Sequence, residues 1–116
     1  MRHTTTINQN FLFRRLYKQG KCYVTPHMAV YVKKTRQKTN RLGITATKKI
    51  GNAVERNRAR RVIKEAYRLL EDELPVGYDF VIVARKMAVA VKMQDVQAGL
   101  RRVIQKMAPP APVNRE

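Results

Sequence analysis

Between Gly51 and Pro75 the sequence carries one long helical pattern, and that pattern limits what the rest of the chain can build. Ala59, Val62, Ile63, Ala66 and Leu70 recur at the spacing of a single helical face. Gly51 and Asn52 turn the chain into this helix, which is expected to run to about Asp72 before Pro75 and Gly77 break it. A helix with one apolar stripe must lie on something, and the segments flanking it read as strands.

His27 to Lys34 alternates, with Met28, Val30 and Val32 on one face and Ala29, Tyr31 and Lys33 on the other. After a polar, basic loop, Arg41 to Thr47 alternates again, with Leu42, Ile44 and Ala46 opposite Gly43, Thr45 and Thr47. The pair predicts a hairpin with one apolar and one wet face. Phe80, Val81, Ile82, Val83 and Ala84 follow one another unbroken, which suits an inner strand covered on both faces and paired with the strand ending at Thr47. Tyr23 to Thr25 can add a short strand.

Two further helices complete the pattern. The first is expected from an Asn8 cap to about Gln19, with Gly20 ending it in a left-handed conformation. Within it Leu12 and Leu16 form one i,i+4 pair and Phe13 and Tyr17 another, so one strip can face the core and the other a groove. The last helix is expected from about Gln94 to Met107, with Val96, Leu100, Val103, Ile104 and Met107 on one face. The predicted fold class is α+β in the order α-β-β-(β)-α-β-α: a mixed sheet of about four strands with helices packed on it. One domain over residues 1–108 is expected, since 116 residues can bury one core but not two. Pro109, Pro110 and Pro112 open a tail, 109–116, expected to be disordered.

Charge then narrows the function classes. Lys and Arg number 25 against 8 Asp and Glu, a formal +17 that repels itself unless a polyanion neutralises it. Residues 1–47 hold ten bases and no acid, residues 48–68 hold eight and two, and residues 69–116 hold seven and six. Because those bases are interleaved with periodic apolar residues, a folded basic face is expected rather than a basic arm. No apolar run approaches the roughly 20 residues of a membrane span, and Met1 to Asn10 has no apolar signal stretch. The single Cys22 has no internal disulfide partner, which fits a reducing compartment. The expectation is a cytoplasmic, soluble protein with a nucleic-acid partner, no membrane and no obligate protein partner.

Along the long helix, Arg56, Asn57, Arg60, Arg61, Lys64 and Arg68 fall on one broad side away from the apolar stripe. Arginine presents a planar fork that matches phosphate oxygens, and Asn57 can donate to or accept from a sugar hydroxyl or base edge. Lys48, Lys49 and the free amides after Gly51 add a positive helix start suited to another phosphate. A solvated face stitched by ion pairs is the competing account, but only Glu55 and Glu65 are there to pair. Phe11, Phe13, Tyr17, Tyr23 and Tyr31 alternate with bases such as Arg14, Arg15, Lys18 and Lys33, as stacking platforms for single-stranded nucleic acid do. Taken singly each ring reads as core; Tyr31 is the best surface candidate, sharing its strand face with Lys33, Thr45 and Thr47. His3, in a terminus expected to be flexible, and His27 have no neighbouring carboxylate, Cys22 has no partner spacing, and no acid precedes Glu55. All three are expected to be structural, with neither catalytic residues nor a metal site on the protein.

The run from Lys48 to Arg61, Lys-Lys-Ile-Gly-Asn-Ala-Val-Glu-Arg-Asn-Arg-Ala-Arg-Arg, closely resembles the signature of the protein subunit of bacterial ribonuclease P. Arg60 stands where that family commonly has Lys, and Lys64-Glu65 where it has Arg-Glu, so charge is kept. The resemblance extends over roughly Asn8 to Met107, because the Phe13 and Tyr17 helix, the Tyr31 strand, the Phe80 to Lys86 strand and the last helix come in the family's order. It implies a ribonucleoprotein endonuclease that removes the 5′ leader from precursor tRNA, with the active site and its magnesium held mainly by a catalytic RNA subunit. It also implies that Arg56, Asn57, Arg58, Arg60, Arg61 and Lys64 dock on that RNA, alongside Lys49 and Arg68. The leader would lie on Phe13, Tyr17 and Tyr31, with Lys33, Thr45, Thr47 and Lys48 as further contacts. The family also crosses between its parallel strands with the rarer left hand. A purely structural binder of folded RNA, a stand-alone nuclease and a DNA-binding module remain as other readings. The last lacks a second helix at helix-turn-helix spacing.

Overall fold

A strand that is apolar on both faces needs a neighbour on each edge and a cover on each side, and that need organises the whole molecule. The structure, a computed structural model, describes residues 3–85 and 92–107. Its elements are β1 (Thr4–Thr6), α1 (Asn10–Gln19), β2 (Lys21–Val24), β3 (Met28–Lys34) and β4 (Asn40–Thr45), then α2 (Ala53–Leu70), β5 (Tyr78–Ala84) and α3 (Met93–Met107). A short 3-10 turn, Glu71–Glu73, follows α2. The fold is a single α+β unit with a mixed sheet of five strands in the order β1-β4-β5-β3-β2.

β5 lies in the middle, parallel to β4 and antiparallel to β3. The hairpin expected between β3 and β4 therefore does not form. Pairing those two directly would leave the apolar run of β5 on an edge, whereas inserting it between them buries Phe80, Val81 and Ile82 almost completely. α2 is the crossover between the parallel strands β4 and β5, as a parallel pair requires.

The two sheet faces carry separate cores. Met28, Val30, Val32, Leu42, Phe80 and Ile82 point to one side, where Ala59, Ile63, Ala66, Tyr67 and Leu70 of α2 and Val96, Leu100, Val103 and Ile104 of α3 cover them. The opposite face is smaller: Val81 packs with Ile7 and with Leu12 and Leu16 of α1, flanked by Phe13, Tyr31 and Val83. α1 thus roofs only part of its face.

Several boundaries depart from the sequence reading. α1 is capped by Gln9 with no side-chain bond rather than by Asn8, and Gly20 is extended (φ −77°, ψ 155°), its amide closing the helix on the Leu16 carbonyl. The left-handed ending is unnecessary because the chain runs straight into β2. β4 stops at Thr45, so Thr47 is off the strand. β1 was not anticipated: its three threonines show no apolar alternation, yet it pairs in parallel with β4. It pins the N-terminal stretch, with Thr4 Oγ1 2.9 Å from the Tyr67 hydroxyl and the His3 amide donating to Glu71 Oε2 at 3.0 Å. His3, expected in a flexible terminus without a carboxylate, has its ring 4.0 Å from Asp72. Lys86 and the tail 109–116 lie outside the described residues.

Candidate nucleic-acid interface

α2 begins where the backbone reverses sharply. Gly51 has φ +147°, a conformation that side chains rarely adopt. Asn52 Oδ1 accepts from the Glu55 amide at 2.9 Å while Glu55 Oε1 accepts from the Asn52 amide at 3.0 Å, a reciprocal cap. Lys48 and Lys49 are exposed in the turn just ahead of it, which is closed by the Ile50 amide donating to the Thr47 carbonyl at 3.0 Å.

The helix itself carries six bases and two acids. Both acids are engaged. Glu55 serves the cap, and Arg68 grips Glu65 through Nε at 2.9 Å and Nη2 at 2.6 Å, which holds the Glu65 carboxyl below its ordinary range. Residues two apart on a helix point about 200° apart, so Arg56 and Arg58 leave on opposite flanks with Asn57 between them. Asn57 Oδ1 accepts from Arg60 Nη2 at 2.7 Å. Arg60, Arg61 and Lys64 border a hollow of about 380 Å³ against Thr4, Thr5, Thr6, Leu42 and Ile44. Arg58 and Arg61 border another of about 350 Å³, with Val62, Glu65 and Met93. The bases singled out from the sequence therefore form a rim around α2, except that Arg58 sits across the helix from Arg56 and Arg68 is tied to Glu65.

The second surface is the sheet face that α1 only partly roofs. Phe13 lies on the backbone of β4: a Cβ at Gly43 would fall 2.7 Å from its Cε1 and Cζ atoms. One turn on, Tyr17 meets Tyr31 edge to face, with centroids 5.0 Å apart and planes at 76°. Tyr17 is 42% exposed and Tyr31 is half-buried. Burial, then the neighbouring Cys22, pushes the Tyr31 hydroxyl above its ordinary pKa. Phe11 points away to solvent, with the Arg15 guanidinium 5.9 Å from its centroid, so Phe13 is the ring that faces the sheet.

Lys33 and Thr45 share this face with Tyr31, and Thr45 Oγ1 is buried with no hydrogen-bond partner among the described residues. Thr47 and Lys48 stand beyond the end of β4, in the turn leading to α2. Cys22 is an exposed thiol on the edge strand β2, in register with Tyr31. The sequence reading missed Arg41 and Asp79. They sit in one row with Lys33 across β4, β5 and β3, and Arg41 bonds Asp79 through Nε at 2.7 Å and Nη2 at 2.6 Å. That hydrogen bonding raises the Arg41 pKa above its ordinary value.

Among the described residues no three His, Cys, Asp or Glu side chains converge where they could hold a metal ion. No helix among them is long and apolar enough to cross a membrane.

Comparison with known proteins bears on the family and the fold. The profile of the family described as Ribonuclease P matches residues 1–108. The "Ribonuclease P protein component" of Clostridium botulinum (strain Loch Maree / Type A3) is 39% identical over 101 residues, 86% of this chain and 91% of that protein. The protein of the same name from Clostridioides difficile (strain 630) is 36% identical over 95 residues, 81% and 83% of the two chains. The solved RNase P protein of Staphylococcus aureus superposes with a TM-score of 0.76 at 30% identity, covering 90% of this chain and 94% of that one. That of Thermotoga maritima superposes with a TM-score of 0.73 at 27% identity, covering 84% and 91%. A profile matched across all the described elements, joined to relatives well above 30% identity over most of both chains, gives one placement: this chain belongs to the ribonuclease P protein family.

Proposed function

We propose that the chain divides its work between two surfaces, with the rim of α2 docking on the catalytic RNA and the α1-roofed sheet face holding the leader of precursor tRNA. The protein is the RNA-binding subunit of a ribonucleoprotein endonuclease acting in tRNA 5′-end maturation. Arg56, Asn57, Arg58, Arg60, Arg61 and Lys64, with Lys49 at the helix start and Arg68 at its far end, are the docking residues in this reading. Their support is the unmatched charge of α2, because a rigid rod of guanidinium forks suits a phosphate backbone.

The observation that carries the leader assignment is the aromatic set of Phe13, Tyr17 and Tyr31, with Tyr17 exposed and the other two partly buried, on a face bordered by bases. Rings beside cations hold single strands without reading much sequence. Lys33, Lys48, Thr45 and Thr47 then contact backbone and sugar on either side. Chemistry is assigned to the RNA subunit, magnesium to the phosphates of that RNA, and the compartment to the cytoplasm. The protein's own residues bind and orient.

The test is reconstitution of the chain with a bacterial ribonuclease P RNA at low magnesium. The expected result is a gain in cleavage of precursor tRNA at the mature 5′ end. No gain over the RNA alone would sink the reading, and cleavage by the protein with no RNA subunit present would replace it with a protein nuclease.

A further inference from the structure

Beyond Lys33, at the edge of the leader-binding face, the sheet face ends in a concave space of about 580 Å³. Arg15, Lys33, Lys34, Arg36 and Arg41 border it together with a single acid, Asp79. Five positive charges against one negative leave four unmatched, and a concave space lined by one sign of charge concentrates counter-ions.

Asp79 is only 2% exposed, and a buried carboxylate is costly unless it is paired. Arg41 pairs it side-on through Nε and Nη2, while its Nη1 has no hydrogen-bond partner among the described residues. The carboxylate thus fixes the guanidinium plane and leaves donors of Arg41 at the hollow it lines. The loop on the far side is held as well: Thr35 Oγ1 donates to the Gly77 carbonyl at 3.1 Å and accepts from the Gln37 amide at 3.2 Å. Lys33 ties the hollow to the aromatic cleft, since it lies two residues from Tyr31 on the same strand and face, about 7 Å away.

We propose that this hollow is a phosphate site that seats one phosphodiester of the single-stranded leader on Arg41, with Asp79 as the residue that positions the guanidinium and Tyr31 stacking a neighbouring base. The inference rests on the leader-binding reading given above. It extends the cleft from a stacking surface to one with a fixed register, because a rigid fork accepts a phosphate at one place along the strand whereas mobile lysines do not.

The experiment uses the reconstituted holoenzyme and precursor tRNAs bearing one neutral methylphosphonate at each leader linkage in turn, with leaderless tRNA as control. One linkage is expected to lower affinity about tenfold, the worth of a charge-assisted hydrogen bond, and that penalty should vanish in Arg41→Ala. Asp79→Asn supplies a test of sign. It makes the hollow more positive, so a field effect alone would tighten leader binding, whereas loss of positioning weakens it, with Arg41→Ala adding little on top. Leaderless tRNA should bind the variants and the parent alike.

If every linkage is neutral while long leaders still bind more tightly than none, the phosphate site is overturned and the aromatic cleft survives. If leader length has no effect at all, the cleft reading fails and this site with it. If Arg41→Ala weakens assembly with the RNA subunit and no leader linkage matters, the phosphate belongs to that RNA and the proposal is wrong. The methylphosphonate series needs no altered protein, so a misfolded variant does not blunt it.

Discussion

Phe13 rests so close to Gly43 that a methyl group there has no room unless the ring moves. Gly43→Ala is therefore expected to lower stability by about 1–3 kcal/mol, the usual range for overpacking, in urea unfolding. It should weaken leader binding at the same time. Tyr31→Ala should reduce affinity for long-leader substrate by about 1–3 kcal/mol while sparing leaderless tRNA; equal losses would make the ring a core residue only. Tyr67 offers a different readout. It is fully buried and its pKa is pushed up to about 12 by burial, against about 10 in the unfolded chain. The unfolded state then loses its proton first as pH rises, so the stability tied to Tyr67 is intact below about pH 10 and falls between about pH 10 and 12. Parent and Tyr67→Phe should accordingly converge or cross in that window when melting is followed against pH. Side chains such as Phe13, Tyr17 and Tyr31 were legible because aromatics beside bases stand out locally. Arg41 and Asp79 were not, being 38 residues apart and brought together only by strand register.

At the scale of elements, α2 was readable almost to its ends, since its apolar stripe, its Gly51-Asn52 entry and its Pro75 stop are all local signals. Asn52→Ala should cost about 1 kcal/mol through loss of the cap, measured by chemical denaturation. Changing Arg56, Arg60 and Arg61 to Ala should weaken association with the RNA subunit. For every phosphate left without its arginine, the slope of log affinity against log salt should fall by about 0.7–0.9, and an unchanged slope would mean the face is not docked. β1 escaped notice because three threonines show no alternation, and the expected β3–β4 hairpin failed for a related reason. Alternation reports which face of a strand is wet but not which strand lies beside it; the doubly apolar run of β5 carried that information and displaced β4 from β3.

For the molecule as a whole, a formal +17 on 116 residues works against compactness, and the most basic segments surround the cleft and α2 rather than a remote tail. The fold class was legible from the order of periodic segments, but the row of charges at the end of the sheet exists only once five strands are in register. The central place of β5 has a consequence for how the chain is made. β4 is complete at residue 45 and its neighbour β5 only at residue 84. At about 5–20 residues/s a ribosome takes roughly 2–8 s to add that stretch, and until then the facing edges of β3 and β4 have nothing between them. The lysines and arginines from Lys33 to Arg41 give the waiting nascent chain a charged flank that discourages pairing with its neighbours on a polysome, so Lys33, Lys34, Arg36 and Arg41, which border the hollow in the finished protein, also guard its unfinished sheet.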